Sequence, residues 1–221
     1  MLAALCLTVI APPAYTNLKL DGFSLVVETS LIKSRAQTWA AVRTELHRQL
    51  LGINRVIPKP ALQKLNRVPI YIHNTSPETR CMAYHPGAQW LREHSMNPAM
   101  EHAIEIGNAD NFLSWTEQQP WMVLHELAHA YHHRFLPNGF ENKEVATAYR
   151  FNLDAKRYDA VLHWDGKTTA HYAKTNPMEY FAEASEAYFG QNDFYPFVKA
   201  ELKTHDPEGF TVIAKVWGVK N

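Results

Sequence analysis

The sequence predicts an α+β fold: a small, mostly antiparallel sheet in the first half of the chain, an active-site helix, and a helical C-terminal part. Strand-like segments, where apolar and β-branched residues alternate with polar ones, all fall between residues 18 and 107. Helical periodicity dominates from about residue 120 onward. Helices set apart from a small group of strands are the mark of an α+β domain. With 221 residues, 46% of them apolar, the chain is long enough for one sizeable core. Residues 15–221 are therefore expected to form a single domain, 15–114 its sheet-containing part and 115–221 its helical part.

Leu18 to Glu28 reads as strand material around a turn at Gly22. Ser34 is placed to cap the next helix, from Arg35 to about Leu51, where Trp39, Val42, Leu46 and Leu50 recur at helical spacing. Pro58 and Pro60 punctuate, a short helix follows at ALQKL, and Val68 to His73 reads as another strand. Residues 74–102 read as loop with a short helix at Gly87 to Glu93, and Ala103 to Gly107 is the third strand. From Pro120, a residue favoured in the first helical turn, to Phe135 the pattern is strongly helical, and Pro137-Asn138-Gly139 stops it. Two or three further helices are expected, the clearest beginning at Asn176-Pro177. There is no internal repeat and no low-complexity segment.

Lys+Arg and Asp+Glu both number 22, so no bulk field draws the chain to nucleic acid or an anionic membrane. Cys6 and Cys81 cannot make a disulfide framework. The opening MLAALCLTVIAPPA resembles a signal-peptide apolar region with a small-residue end but lacks the basic start. Residues 1–14 are thus a candidate leader and the mature chain is expected to be secreted or extracytoplasmic; the alternative is a cytoplasmic protein whose first residues are a buried strand. No later run reaches the ~18 apolar residues of a membrane span, so no stable membrane insertion is expected.

Histidine is the unusual residue: there are 12, and His125, His129, His132, His133 and His163 cluster. His125-Glu126-Leu127-Ala128-His129 lies within the strong helix, so both imidazoles share one face at i,i+4 and can hold one ion. Glu126, rotated about 100° away, can reach a water on that ion. Zinc lowers the pKa of such a water to roughly 7, and a neighbouring carboxylate can take its proton as it attacks a carbonyl. Leu124, Leu127, Ala128 and Tyr131 anchor the helix on its other side. The extended pattern HExxHxxGxxH is not met, because His132 and Phe135 stand where Gly and His are needed, so a third ligand must come from elsewhere.

Downstream, Glu179, Glu183 and Glu186 fall at i, i+4 and i+7 on one stripe of a largely apolar helix, an arrangement costly to bury without a cation. HELAHA followed at a distance by NPMEYFAEASEAYF resembles the gluzincin-type zinc peptidases related to anthrax lethal factor and the Mlc titration factor peptidases. The resemblance covers about residues 120–190. It implies a zincin-like metallopeptidase domain with one zinc ion per chain, Glu179 as the third ligand, and Glu183 orienting a ligand histidine. It also implies Tyr172, seven residues before that glutamate, as a donor to the oxyanion. A zinc-dependent metallopeptidase acting on a peptide or protein is the function expected, with Glu126 and Tyr172 catalytic. The alternative is a metal-binding regulatory protein that grips a partner on the same fold, although an intact Glu126 favours catalysis. A purely structural zinc site is disfavoured, since two histidines and one glutamate leave the fourth position open to water. Substrate, endo- or exopeptidase mode and oligomeric state are not legible.

Among the remaining candidates, His132 and His133 are expected as imidazolium groups complementing the helix C-terminus. His163 and His171 are candidate substrate contacts, and Trp115 and Trp121 are expected in the core. Cys81 and His85 lack the companions a second metal site needs.

Overall fold

The computed structural model describes residues 13–76 and 78–220, so most of the candidate leader lies outside the described residues. The first expectation is met where local chemistry is strongest. Asp21 and Gly22 have φ of 50° and 95°, the positive values a two-residue hairpin turn requires. They join β1 (Tyr15–Leu20) to β2 (Phe23–Glu28) in antiparallel register. Phe23, Leu25 and Val27 point inward from β2 and are buried, while the residues between them are partly exposed.

Two helices follow, α1 (Thr29–Ser34) and α2 (Ala36–Val56). Ser34 is the last residue of α1, and no side chain caps α2 at Arg35, so the expected serine cap is not formed. Val42, Leu46, Leu50 and Ile53 form the buried stripe of α2. After α3 (Lys59–Leu65) come β3 (Ile70–Ile72), β4 (Met82–Tyr84), α4 (Ala88–Glu93), β5 (Ile104–Ile106) and α5 (Ala109–Trp115).

The strands are ordered β1-β2-β3-β5-β4. The expected antiparallel pairing holds at the two outer pairs, which include the longest strands, whereas β2–β3 and β3–β5 are parallel. Parallel neighbours need a long crossover, and α1 to α3 supply it between β2 and β3. β4 falls in the segment read as loop and becomes the edge strand. One sheet face, with Ile70, Ile72, Ile104 and Ile106, joins the main core. The other carries Tyr71 and Ala103 into a smaller cluster with Leu91, Met96 and Met100.

The second half contains α6 (Met122–Phe135), α7 (Lys143–Asp154), the hairpin β6 (Val161–Leu162) and β7 (Thr168–Thr169), then α8 (Pro177–Phe189), α9 (Lys199–His205) and α10 (Pro207–Val216). Four α-helices thus follow α6 among the described residues, more than the two or three expected. The Asn176 side chain accepts from the backbone N–H groups of Met178 and Glu179, both at 2.9 Å, and Pro177 opens the helix. Fully buried Asp206 then fixes the helix sideways, accepting from Tyr180 Oη at 2.7 Å, Tyr158 Oη at 3.0 Å and Asn152 Nδ2 at 2.9 Å. Gly190 ends α8 against Trp121, the residue preceding α6; a Cβ there would lie 2.2 Å from the indole. The two helices that carry the candidate ligands therefore meet at a contact only glycine allows. No helix of the described residues is long and apolar enough to cross a membrane.

Candidate metal centre

His125 and His129 project from one face of α6 with ring centroids 4.8 Å apart. Glu179, in the first turn of α8, places Oε2 at 3.1 Å from His125 Nε2 and 3.2 Å from His129 Nε2. The three candidate ligand atoms lie within 4.8 Å of one another. Ligands 2.0–2.1 Å from a tetrahedral ion stand about 3.3 Å apart, so these separations suit donors sharing one ion. The charge balance points the same way. Burial opposes a charged His125, yet Glu179 and Glu186 hold its pKa well above the usual imidazole value. Burial likewise works to raise Glu179, but His125 and His129 hold it below the usual carboxylate range. The pocket is built to stabilise positive charge.

Behind His125, Glu186 Oε1 accepts from Nδ1 at 2.6 Å, while Glu183 Oε1 is 3.5 Å away. Glu183 instead accepts from Asn192 Nδ2 at 2.9 Å. The carboxylate nearest the histidine is therefore three residues beyond the one the resemblance indicates. Both belong to the predicted stripe, and spacing alone does not separate them. Burial raises both pKa values; the charge of Glu186 pushes Glu183 well up, while the hydrogen bond from His125 restrains Glu186. What separates the two is geometry: Glu186 is the carboxyl group hydrogen-bonded to His125 and Glu183 the one bonded to Asn192.

The group opens into a cleft of about 620 Å³ that Glu126 and Tyr172 also line. Tyr172 begins a short 3-10 helix (Tyr172–Lys174) ahead of α8, is 48% exposed, and has its ring centroid 6.5 Å from that of His125. Partial burial and the charge of Glu179 raise its pKa, keeping the phenol protonated. One wall of the cleft is β4 with Cys81 and Pro86; Trp115, Phe194 and Asp193 belong to the rest of the lining.

Several expectations change here. Trp115 is 41% exposed and lines the cleft, whereas Trp121 is packed against Gly52 and Gly190. His132 is fully buried, its ring between Phe140 and Phe181 and neither nitrogen bonded, and burial holds its pKa down to about 3. His133 Nδ1 lies 2.8 Å from Tyr84 Oη, and burial lowers its pKa also. Both imidazoles are disfavoured as cations, so the helix-dipole reading does not hold. His171 is buried with its pKa held down to about 3 by burial, and its Nδ1 accepts from Ala173 N–H, which removes it from substrate contact. His163 does line the cleft. Cys81 Sγ rests 3.5 Å from Met122 Sδ and His85 bonds to Glu105, so the two do not form a joint metal site.

No family model matches the chain, and no curated protein matches it. Among solved structures it is similar to the Pro-Pro endopeptidase PPEP-2 from Paenibacillus alvei, at 20% identity and a TM-score of 0.45, over 82% of this chain and 90% of that one.

Proposed function

We propose that this chain is a zinc-dependent metallopeptidase of the gluzincin type, hydrolysing peptide bonds in a peptide or protein substrate. The observation that carries the reading is the convergence of Glu179 Oε2 on both histidine Nε2 atoms, at 3.1 and 3.2 Å, in a cleft that Glu126 and Tyr172 share. His125, His129 and Glu179 would hold the ion. When bound, zinc supplies Lewis acidity that makes water nucleophilic near neutral pH. Glu186, accepting from His125 Nδ1, keeps the Nε2 lone pair directed into the ligand group. Glu126 takes the proton of the attacking water and delivers it to the leaving amine. Tyr172 donates its phenolic proton in a hydrogen bond to the oxyanion. β4, the last strand of the sheet, offers an edge along which an extended substrate can pair by its main chain.

The test is elemental analysis of the purified protein combined with cleavage of a peptide library, with and without a chelator. One zinc per chain and chelator-sensitive cleavage are expected. Absence of zinc would overturn the metal assignment, and zinc without cleavage across the library would favour the binding-protein alternative.

A further inference from the structure

On the sheet face turned away from the metal centre, Glu105 occupies the middle of β5 with none of its surface exposed. A buried carboxylate is tolerable only when its lone pairs are satisfied, and this one receives three donors. Oε1 accepts from His73 Nδ1 at 2.6 Å; Oε2 accepts from Thr79 Oγ1 at 2.6 Å and His85 Nε2 at 2.8 Å. Tyr15 Oη lies 2.8 Å from His73 Nε2 and donates to it, which leaves the His73 proton on Nδ1, facing Glu105.

Two of the donors bracket one element. Thr79 precedes β4 by three residues and His85 follows it directly. β4 is a three-residue edge strand paired only with β5 in the sheet, with Ala83 opposite Glu105, and it forms a wall of the cleft through Met82 and Tyr84. So short an edge is weakly held by its ladder, whereas hydrogen bonds to an ionised acceptor are roughly twice as strong as neutral ones. Gly107, at the end of β5, makes the close approach possible: a Cβ there would stand 2.3 Å from the Thr79 carbonyl oxygen.

We propose that Glu105 is a positioning residue for substrate binding, tying both ends of β4 to one carboxylate so that the cleft wall is set before a peptide arrives. It does not line the cleft and acts only through Thr79 and His85. The proposal rests on the peptidase reading, because it assigns β4 the substrate's main chain.

The experiment compares wild type, Glu105→Gln, Thr79→Val and Thr79→Ser by zinc content, steady-state kinetics and hydrogen exchange of the segment 80–86 against α6. For Thr79→Val, KM should rise on the order of tenfold while kcat stays within about twofold. Exchange should quicken in 80–86 and stay slow in α6. Thr79→Ser, which restores the hydroxyl, should behave as wild type, and Glu105→Gln should exceed Thr79→Val in both readouts. Since Glu105→Gln can fail to fold, the threonine pair decides: unchanged KM, or kcat falling as much as kcat/KM, would overturn the role. If the wild type cleaves nothing, the peptidase reading falls by itself. The exchange data then still judge the anchoring, supported by faster exchange confined to 80–86 and overturned by none.

Discussion

Glu126 is the residue on which hydrolysis should depend most directly, because it is a carboxylate in the cleft that takes no part in the ligand group. Glu126→Gln should cut kcat by at least the roughly 10²–10⁴-fold attributed to a general base, with one zinc per chain retained; a metal-loaded variant with normal turnover would remove it from the mechanism. Tyr172 is set apart by its exposure and by its closeness to His125. If it donates only as charge develops, Tyr172→Phe should lower kcat and kcat/KM together, on the order of 10²-fold, with KM barely moved. A rise in KM alone would make it a substrate contact. The two glutamates behind His125 separate by a binding measurement. Glu186→Gln should weaken zinc by about 10–100-fold, since Glu186 accepts the hydrogen bond from Nδ1 at 2.6 Å, and Glu183→Gln should cost less. Competitive titration against a chelator reads this without turnover, and the reverse order would restore Glu183 as the orienting residue. The sequence shows these carboxylates as one stripe because i+4 and i+7 share a helical face; the choice between them depends on how α8 is rotated, which is set by Asp206 and Tyr180 through long-range packing.

At the scale of elements, the site depends on how α6 and α8 meet. Gly190→Ala should force Trp121 aside, since the added Cβ would stand 2.2 Å from the indole. Overpacking of this kind costs about 1–3 kcal/mol, or roughly 3–10 °C in Tm for a chain of this size. Because Trp121 leads directly into α6, zinc affinity should fall as well; thermal denaturation and zinc titration check both, and a variant unchanged in either would detach the contact from the site. Elements defined by local chemistry were legible: the hairpin at Asp21-Gly22, α6 from its apolar period, α8 from Asn176-Pro177. The parallel pairings of β3 were not, because the choice of strand neighbour is made between segments distant in sequence. β4 escaped notice because Met82-Ala83-Tyr84 carries no β-branched residue, whereas the equally short β3 and β5 are marked by isoleucines. Glu105 looks like an ordinary polar residue in a strand until His73, Thr79 and His85 converge on it.

For the whole molecule, the consequence of these burials is a dependence of stability on pH in which groups oppose one another. Buried His132 and His171 have pKa values held down to about 3, so each is neutral in the fold while the unfolded chain takes up a proton near 6.5. Their contribution is therefore fully present above pH 6.5 and declines by about 1.4 kcal/mol per pH unit for each histidine as the pH falls toward 3. Glu105 acts later: burial would raise its pKa, but the bonds from His73, His85 and Thr79 hold it near 2, so its share is lost only below the ordinary carboxylate value of 4.5. Glu183 and Glu186 pull the other way, because burial raises them and the fold keeps protons the unfolded chain releases. The total slope is thus a poor witness for any one group, and a difference between variants is a good one. His132→Leu removes a titrating group whose nitrogens have no partners, in a pocket of Phe140 and Phe181 that suits a hydrocarbon. Urea unfolding of both proteins with a chelator present, so that metal release adds nothing, should show the variant gaining on the wild type by about 1.6 kcal/mol between pH 6.5 and 5. Curves that stay parallel over that range would mean that His132 takes up its proton in the folded state, and that its pocket admits water.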